Sequence, residues 1–295
     1  MTQRNADTEM NASTALTPQS LPIRKLDIDL SQGFERHWFV GDAFRTAYFN
    51  ALSMSFPAGE QLFIDSVKNA LPLLAATPKN EPLRALCNDF AAQEATHRHV
   101  HAQFNAVLDK QGLKNHVEPR IWARFKKHEA LLTPRHHLAI TVAYEHYTAV
   151  LAHVMLAHPE MMATATPMMQ KLWRWHSLEE TEHKAVAFDL YHAVGGNHRW
   201  RVRWFLFASV QFYLDVFRQT ANNLWHDGSM FKPSTWLSAV AFFFGRPSRG
   251  GGWAWLVTRP LLDYFKRDFH PWQHNNQALA QDYSANHAQD WRLVR

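Results

Sequence analysis

Two stretches of this chain repeat one arrangement of acidic and imidazole side chains, and that repetition limits the folds open to it more than any other feature. Glu60 is followed 34 residues later by Glu94-x-x-His97, and Glu145 is followed 35 residues later by Glu180-x-x-His183. The halves overlay with a nearly constant shift, 85 residues from Glu60 to Glu145 and 86 from both Glu94 to Glu180 and His97 to His183. A helical hairpin used twice has that signature. Positions three, four and seven apart share a helix face, so Glu94 and His97 project together, as do His176, Glu180 and His183. With 19 His and 12 Glu in 295 residues, roughly one Glu-x-x-His pair arises by chance. The weight therefore rests on both pairs lying in apolar-periodic segments, each preceded at near-equal distance by a lone Glu.

Composition agrees with helices. A chain of 295 residues that is 46% hydrophobic and 13% aromatic can bury one large core. It has only 11 Gly, few alternating β-branched runs, and long segments rich in Ala, Leu, Gln, Lys, Arg and Met. The expected class is all-α: a ferritin-like four-helix bundle with an N-terminal helix and additional C-terminal helices.

Proline and glycine divide the chain. One helix is expected from about 40 to 55, ending at Phe56-Pro57-Ala58-Gly59, and Pro57 then opens a second, to about 74, that carries Glu60. A loop precedes a long helix from about 82 to 111 with Gly112 as its stop. Residues 113–133 form the crossover, with a short helix near 121–132. Pro134 opens the helix bearing Glu145, and a helix from about 167 to 194, closed by Gly195-Gly196, bears His176, Glu180 and His183. Two hairpins joined by one long crossover define the ferritin-like arrangement. Further helices are expected at 198–225, 233–244 and 253–268. Residues 1–30 read as a disordered tail, 31–270 as one helical domain with accessory helices from 198, and 271–295 as an irregular tail.

Several function classes are excluded or disfavoured. Cys87 is the sole cysteine, so no internal disulfide forms, and the polar N-terminus lacks a signal-like apolar core; a cytoplasmic location is expected. The net charge of +5 is scattered apart from Arg199, Arg201 and Arg203 and the run 246–249, which does not suit nucleic acid. The most apolar stretch, Trp204–Phe217, is interrupted by Gln211 and Asp215 and is too short to cross a bilayer. It reads as an accessory helix on the bundle, with a peripheral membrane contact through 200–245 or a greasy substrate channel as the other reading. No phosphate-binding glycine loop, nucleophile elbow or cysteine knuckle is present.

Carboxylates in a bundle core are costly unless paired or metal-bound, so the set Glu60, Glu94, His97, Glu145, Glu180 and His183 calls for cations. Glu94 and Glu180 are expected to bridge two ions, His97 and His183 to supply one nitrogen each, and Glu60 and Glu145 to be terminal. His176, one turn before Glu180, adds a third imidazole or else supports the site from outside it. His101, His146 and Asp189 are weaker candidates for groups that orient the ligands, and Glu179 and Glu182 are expected to face outward. Oxygen and imidazole donors without thiolate suit two Fe ions, with Mn or Zn as substitutes.

The segments FPAGEQLFIDSVKNA, FAAQEATHRHVHAQFN, YEHYTA and WHSLEETEHKAVAFDLY resemble the predicted metal-dependent hydrolase family of ferritin-like proteins, over roughly residues 30 to 270. The order lone Glu, Glu-x-x-His, lone Glu, His-x-x-x-Glu-x-x-His is similar to the di-iron arylamine N-oxygenases, whose extra histidine enriches nitrogen donation to one iron. The resemblance implies a non-haem di-iron oxidoreductase using O2 and an electron donor on a hydrophobic or aromatic small molecule, by hydroxylation or N-oxygenation. The alternative is a di-metal-dependent hydrolase using a metal-bound hydroxide. A homodimer is a further expectation, whereas metal storage and a metal-stapled scaffold without turnover are disfavoured by the long Trp- and Phe-rich segment after the last ligand helix.

Overall fold

Asp42 starts the helical body by accepting a hydrogen bond on Oδ1 from the Arg45 backbone N–H at 3.0 Å. The computed structural model describes residues 17–294. Helix α1 runs Ala43–Ala70, α2 Glu81–Lys110, α3 Val117–His128, α4 Pro134–Ala157 and α5 Pro167–His183. A short α6, Val186–Ala193, follows. The C-terminal part holds α7, His198–His226, α8, Pro233–Phe244, α9, Trp253–Asp263, and α10, Gln277–Asn286. The architecture is an all-α bundle, with α1, α2, α4 and α5 surrounding the acidic and imidazole side chains. Among the described residues the only sheet is two short strands, β1 (Arg24–Leu26) and β2 (Trp291–Leu293), paired antiparallel with Lys25 opposite Arg292.

The expected stop at Pro57 does not occur; α1 continues through it. Proline lacks the N–H that would bond the carbonyl four residues back. That carbonyl, of Ser53, instead accepts from Asn105 Nδ2 of α2 at 2.9 Å, and the next one, of Met54, accepts from Asn115 Nδ2 at 3.0 Å. Two asparagines from other segments thus satisfy the groups that would otherwise end the helix.

Other boundaries follow their local signals. Gly112 has φ +83°, and Leu113 N–H donates to the Leu108 carbonyl at 3.0 Å, closing α2 with a left-handed glycine cap. Pro134 sits in the first turn of α4, and His136 Nδ1 accepts from the Thr133 backbone N–H at 3.0 Å. The helix expected over 167–194 is broken after His183 with no glycine or proline at the break. There the Lys184 ammonium is drawn into a buried contact, donating to the His274 carbonyl at 2.7 Å and to Asn276 Oδ1 at 2.6 Å and lying 3.9 Å from the Trp272 ring centre.

Both tails depart from expectation. Residues 1–16 lie outside the described residues, but 17–30 are placed, with Leu21, Ile23, Leu26 and Leu30 buried. The 271–295 segment contains α10 and β2. Apolar burial and the β1–β2 pairing order these segments, and both pack along the outer side of α5.

The bridge across Pro57 yields a test. Asn105→Ala should lower the unfolding free energy by about 1–2 kcal/mol, because it leaves a buried carbonyl unpaired. A shifted urea midpoint at constant slope would register it.

Candidate metal centre

The seven side chains singled out by spacing converge in the interior of the bundle. α1 supplies Glu60, α2 Glu94 and His97, α4 Glu145, and α5 His176, Glu180 and His183; each is at most 5% exposed. Their atoms gather on two sides, and on the Glu60 side His101 also lies within reach of Glu60 and His176. On one side His97 Nδ1 lies 3.4 Å and His176 Nε2 3.1 Å from Glu180 Oε1, with Glu60 and Glu94 grouped around His97. On the other, His183 Nε2 lies 3.4 Å from Glu94 Oε1, 3.4 Å from Glu180 Oε2 and 3.6 Å from Glu145 Oε2. Glu94 and Glu180 therefore face both clusters.

Burial sets the electrostatics. It drives the carboxyls of Glu60, Glu94 and Glu145 well above the ordinary range, reinforced by the negative charge of Glu180. Burial also pushes Glu180 up, but His183, His176 and His97 together outweigh it and hold that carboxyl well below its usual value.

The donor atoms fit metal ions. Both oxygens of Glu60, Glu94 and Glu145, Oε2 of Glu180, Nδ1 of His97 and Nε2 of His183 are buried with no hydrogen-bond partner among the described residues. Such groups cost free energy unless something satisfies them, and a cation between them would satisfy them together.

Partners on the far side of each imidazole decide which nitrogen faces inward. His97 Nε2 donates to Glu179 Oε2 at 3.0 Å, and His183 Nδ1 donates to Gln93 Oε1 at 2.9 Å. His176 Nδ1 lies 2.9 Å from His101 Nε2, His101 Nδ1 lies 2.8 Å from Ser53 Oγ, and Ser53 donates to Asn105 Oδ1 at 2.9 Å. Because Ser53 spends its proton on Asn105, His101 Nδ1–H donates to it, and His101 Nε2 is left to accept from His176. Every imidazole then turns an unprotonated nitrogen toward the clusters, as ligation requires. Burial, with His97 next, lowers His176 to about 4 and favours this neutral form.

Glu179 does not face outward. It is fully buried, accepts from the Arg24 backbone N–H at 3.3 Å, and orients His97. Arg24 lies in the segment expected to be disordered, and its guanidinium also holds Glu182 at 2.7 and 2.8 Å. The outward expectation fails because β1 covers that side of α5. Burial raises Glu179 to about 8, and Arg24 opposes the rise.

Two other expected supports lie elsewhere. His146 contacts the Pro260 carbonyl at 3.2 Å among Tyr264 and Phe269, and Asp189 binds His270 Nε2 at 2.9 Å; neither joins a cluster of potential ligands. Sequence reasoning missed Gln93, Ser53 and Arg24. Gln93 adjoins Glu94, but nothing in its spacing points to His183, 90 residues away.

A cavity of about 620 Å3 reaches the centre, with Glu60, His176 and Glu180 in its wall. Phe56, Phe63, Leu132, Ile140 and Tyr144 make the approach apolar. Phe56 and Phe63 line it, whereas Phe90, Phe104 and Trp173 pack in the core; Phe56 stacks on His176 at 5.0 Å between ring centres.

Fold and site together define an all-α bundle with a buried carboxylate–imidazole centre suited to metal. The sequence profile of the family described as predicted metal-dependent hydrolase matches residues 22–275, and the chain belongs to that family. No curated protein and no solved structure matches it.

Two outcomes follow. Loading the metal-free protein with divalent ions near neutral pH should release protons from Glu60, Glu94 and Glu145, so apparent affinity should rise with pH, as an indicator-dye titration would measure. Glu179→Gln should weaken binding at the His97 side by about 10- to 100-fold, read by competition with a chelating dye.

Proposed function

We propose that this protein is a metal-dependent enzyme with a two-ion centre acting on an apolar small molecule. Glu60, Glu94, His97, His176 and Glu180 hold one ion; Glu94, Glu145, Glu180 and His183 hold the other. The observation that carries this reading is the convergence of unpartnered carboxylate and imidazole atoms at the inner end of an apolar cavity.

Bound ions would supply Lewis acidity and an acidified water for hydrolysis, or, as a pair of irons, electrons for O2. The apolar wall excludes bulk water and selects a hydrophobic substrate. Glu60 belongs to both the wall and the donor set, and burial raises its carboxyl well above the ordinary range.

Hydrolysis agrees with the family description and is the first reading. Oxidation by a di-iron centre with an external electron donor is the second. What favours it is the donor set itself, four carboxylates and three imidazoles without thiolate, which suits Fe or Mn as well as Zn.

Metal analysis and turnover separate the readings. Protein loaded with Zn should cleave apolar esters or amides if hydrolysis holds; reduced iron-loaded protein should instead consume O2 with an apolar amine or aromatic substrate if oxidation holds. Glu94→Ala and Glu180→Ala should each abolish paired metal binding. Two ions per chain retained in both variants would refute the ligand assignment.

A further inference from the structure

We propose that the outer face formed by α7, α8 and α9 docks this protein on an anionic lipid surface, with the mouth of the cavity turned toward that surface. No described helix is long and apolar enough to cross a membrane, so the contact is peripheral.

On α7 the solvent-facing positions between Arg203 and Arg218 are Leu206, Phe207, Val210, Tyr213, Leu214 and Phe217. They recur at helical spacing on the side away from the bundle, the reverse of what a soluble accessory helix presents. α8 contains no charged residue and exposes Trp236, Leu237, Val240 and Phe244, with Leu237 71% exposed. The two stripes join: Phe217 meets the Phe243 ring at 6.0 Å, and Phe244 meets Trp255 of α9 at 5.8 Å. A contiguous exposed apolar face of this kind marks a contact with something apolar.

Charge identifies what covers it. From residue 198 to 263 the basic side chains are Arg199, Arg201, Arg203, Arg218, Lys232, Arg246, Arg249 and Arg259, and the acids are Asp215, Asp227 and Asp263, the last paired with Lys266 at 2.6 Å and His274 at 2.9 Å. Arg201 is buried, while the other two acids are engaged as well, Asp215 by Arg124 at 2.7 Å and Asp227 by Arg36 at 2.7 Å. An apolar face with a basic rim and no free acid complements anionic headgroups over acyl chains. A two-fold contact between copies would bring those arginines together and is disfavoured.

Phe207 links face and centre, being exposed on the stripe and part of the cavity wall beside Arg203 and Trp204. An apolar substrate dissolved in the bilayer would reach the cavity there without crossing water; that clause rests on the proposed function, whereas the docking does not.

Flotation with vesicles tests the surface. The protein should float with phosphatidylcholine vesicles containing phosphatidylglycerol, and roughly tenfold less with phosphatidylcholine alone or at high salt. Combining Leu237→Asp and Val240→Asp, both at solvent-facing positions, should cut flotation at least tenfold with an unchanged thermal midpoint. Glu94→Ala should float like the native protein, which separates failure of the metal centre from failure of the surface. Cys87 is buried, so a polarity-sensitive dye on Phe207→Cys labels one site and should shift to the blue with anionic vesicles. Native protein that stays in solution with both vesicles, undiminished flotation of the Asp variant, no dye shift, or self-association in buffer abolished by the Asp pair would each overturn the proposal.

Discussion

The energetic problem at the heart of this molecule is four carboxylates and three imidazoles held together out of water. Glu60, Glu94 and Glu145 are pushed toward their neutral forms, and only Glu180, surrounded by the imidazoles, stays readily ionised. Desolvating a carboxylate costs several kcal/mol unless a cation or strong donors compensate. The bundle maintains this arrangement because a second ring of contacts fixes each imidazole: Glu179 behind His97, Gln93 behind His183, and His101 behind His176.

That second ring ties the centre to the fold. Asn105 donates to the Ser53 carbonyl freed by Pro57 and accepts from the Ser53 hydroxyl, which in turn holds His101. Repair of the proline site and orientation of His176 are thus one hydrogen-bonded unit spanning α1, α2 and α5. On the opposite side Arg24 of β1 binds Glu179 and Glu182, so the segment preceding the bundle takes part in setting His97. The apolar cavity meets this network only through Glu60, His176 and Glu180, which leaves those groups facing the cavity while the supporting contacts remain shielded.

Much of this was legible along the chain because a helix is a local object. The hairpin spacing, the Gly112 stop and the Pro134 start depend on residues within a turn or two, and the structure has them at or within a residue of their expected places. Pro57 was misread because its rescue comes from Asn105 and Asn115, far along the chain. The break after His183 was missed because Lys184 finds partners at His274 and Asn276. Glu179 was turned outward in expectation because helix phase alone leaves that side of α5 to solvent, and phase cannot report that β1 covers it.

By itself, then, the sequence determined the class of fold, the faces that carry Glu60, Glu94, His97, Glu145, His176, Glu180 and His183, and the donor chemistry they offer. All of these follow from residue type and an advance of about 100° per residue. Tertiary structure decided which nitrogen each imidazole presents, which of Glu179 and Glu180 faces the clusters, and which residues line the cavity. Those choices depend on contacts such as that of Arg24 with Glu179, 155 residues apart in the chain, whose geometry exists only once the bundle has closed.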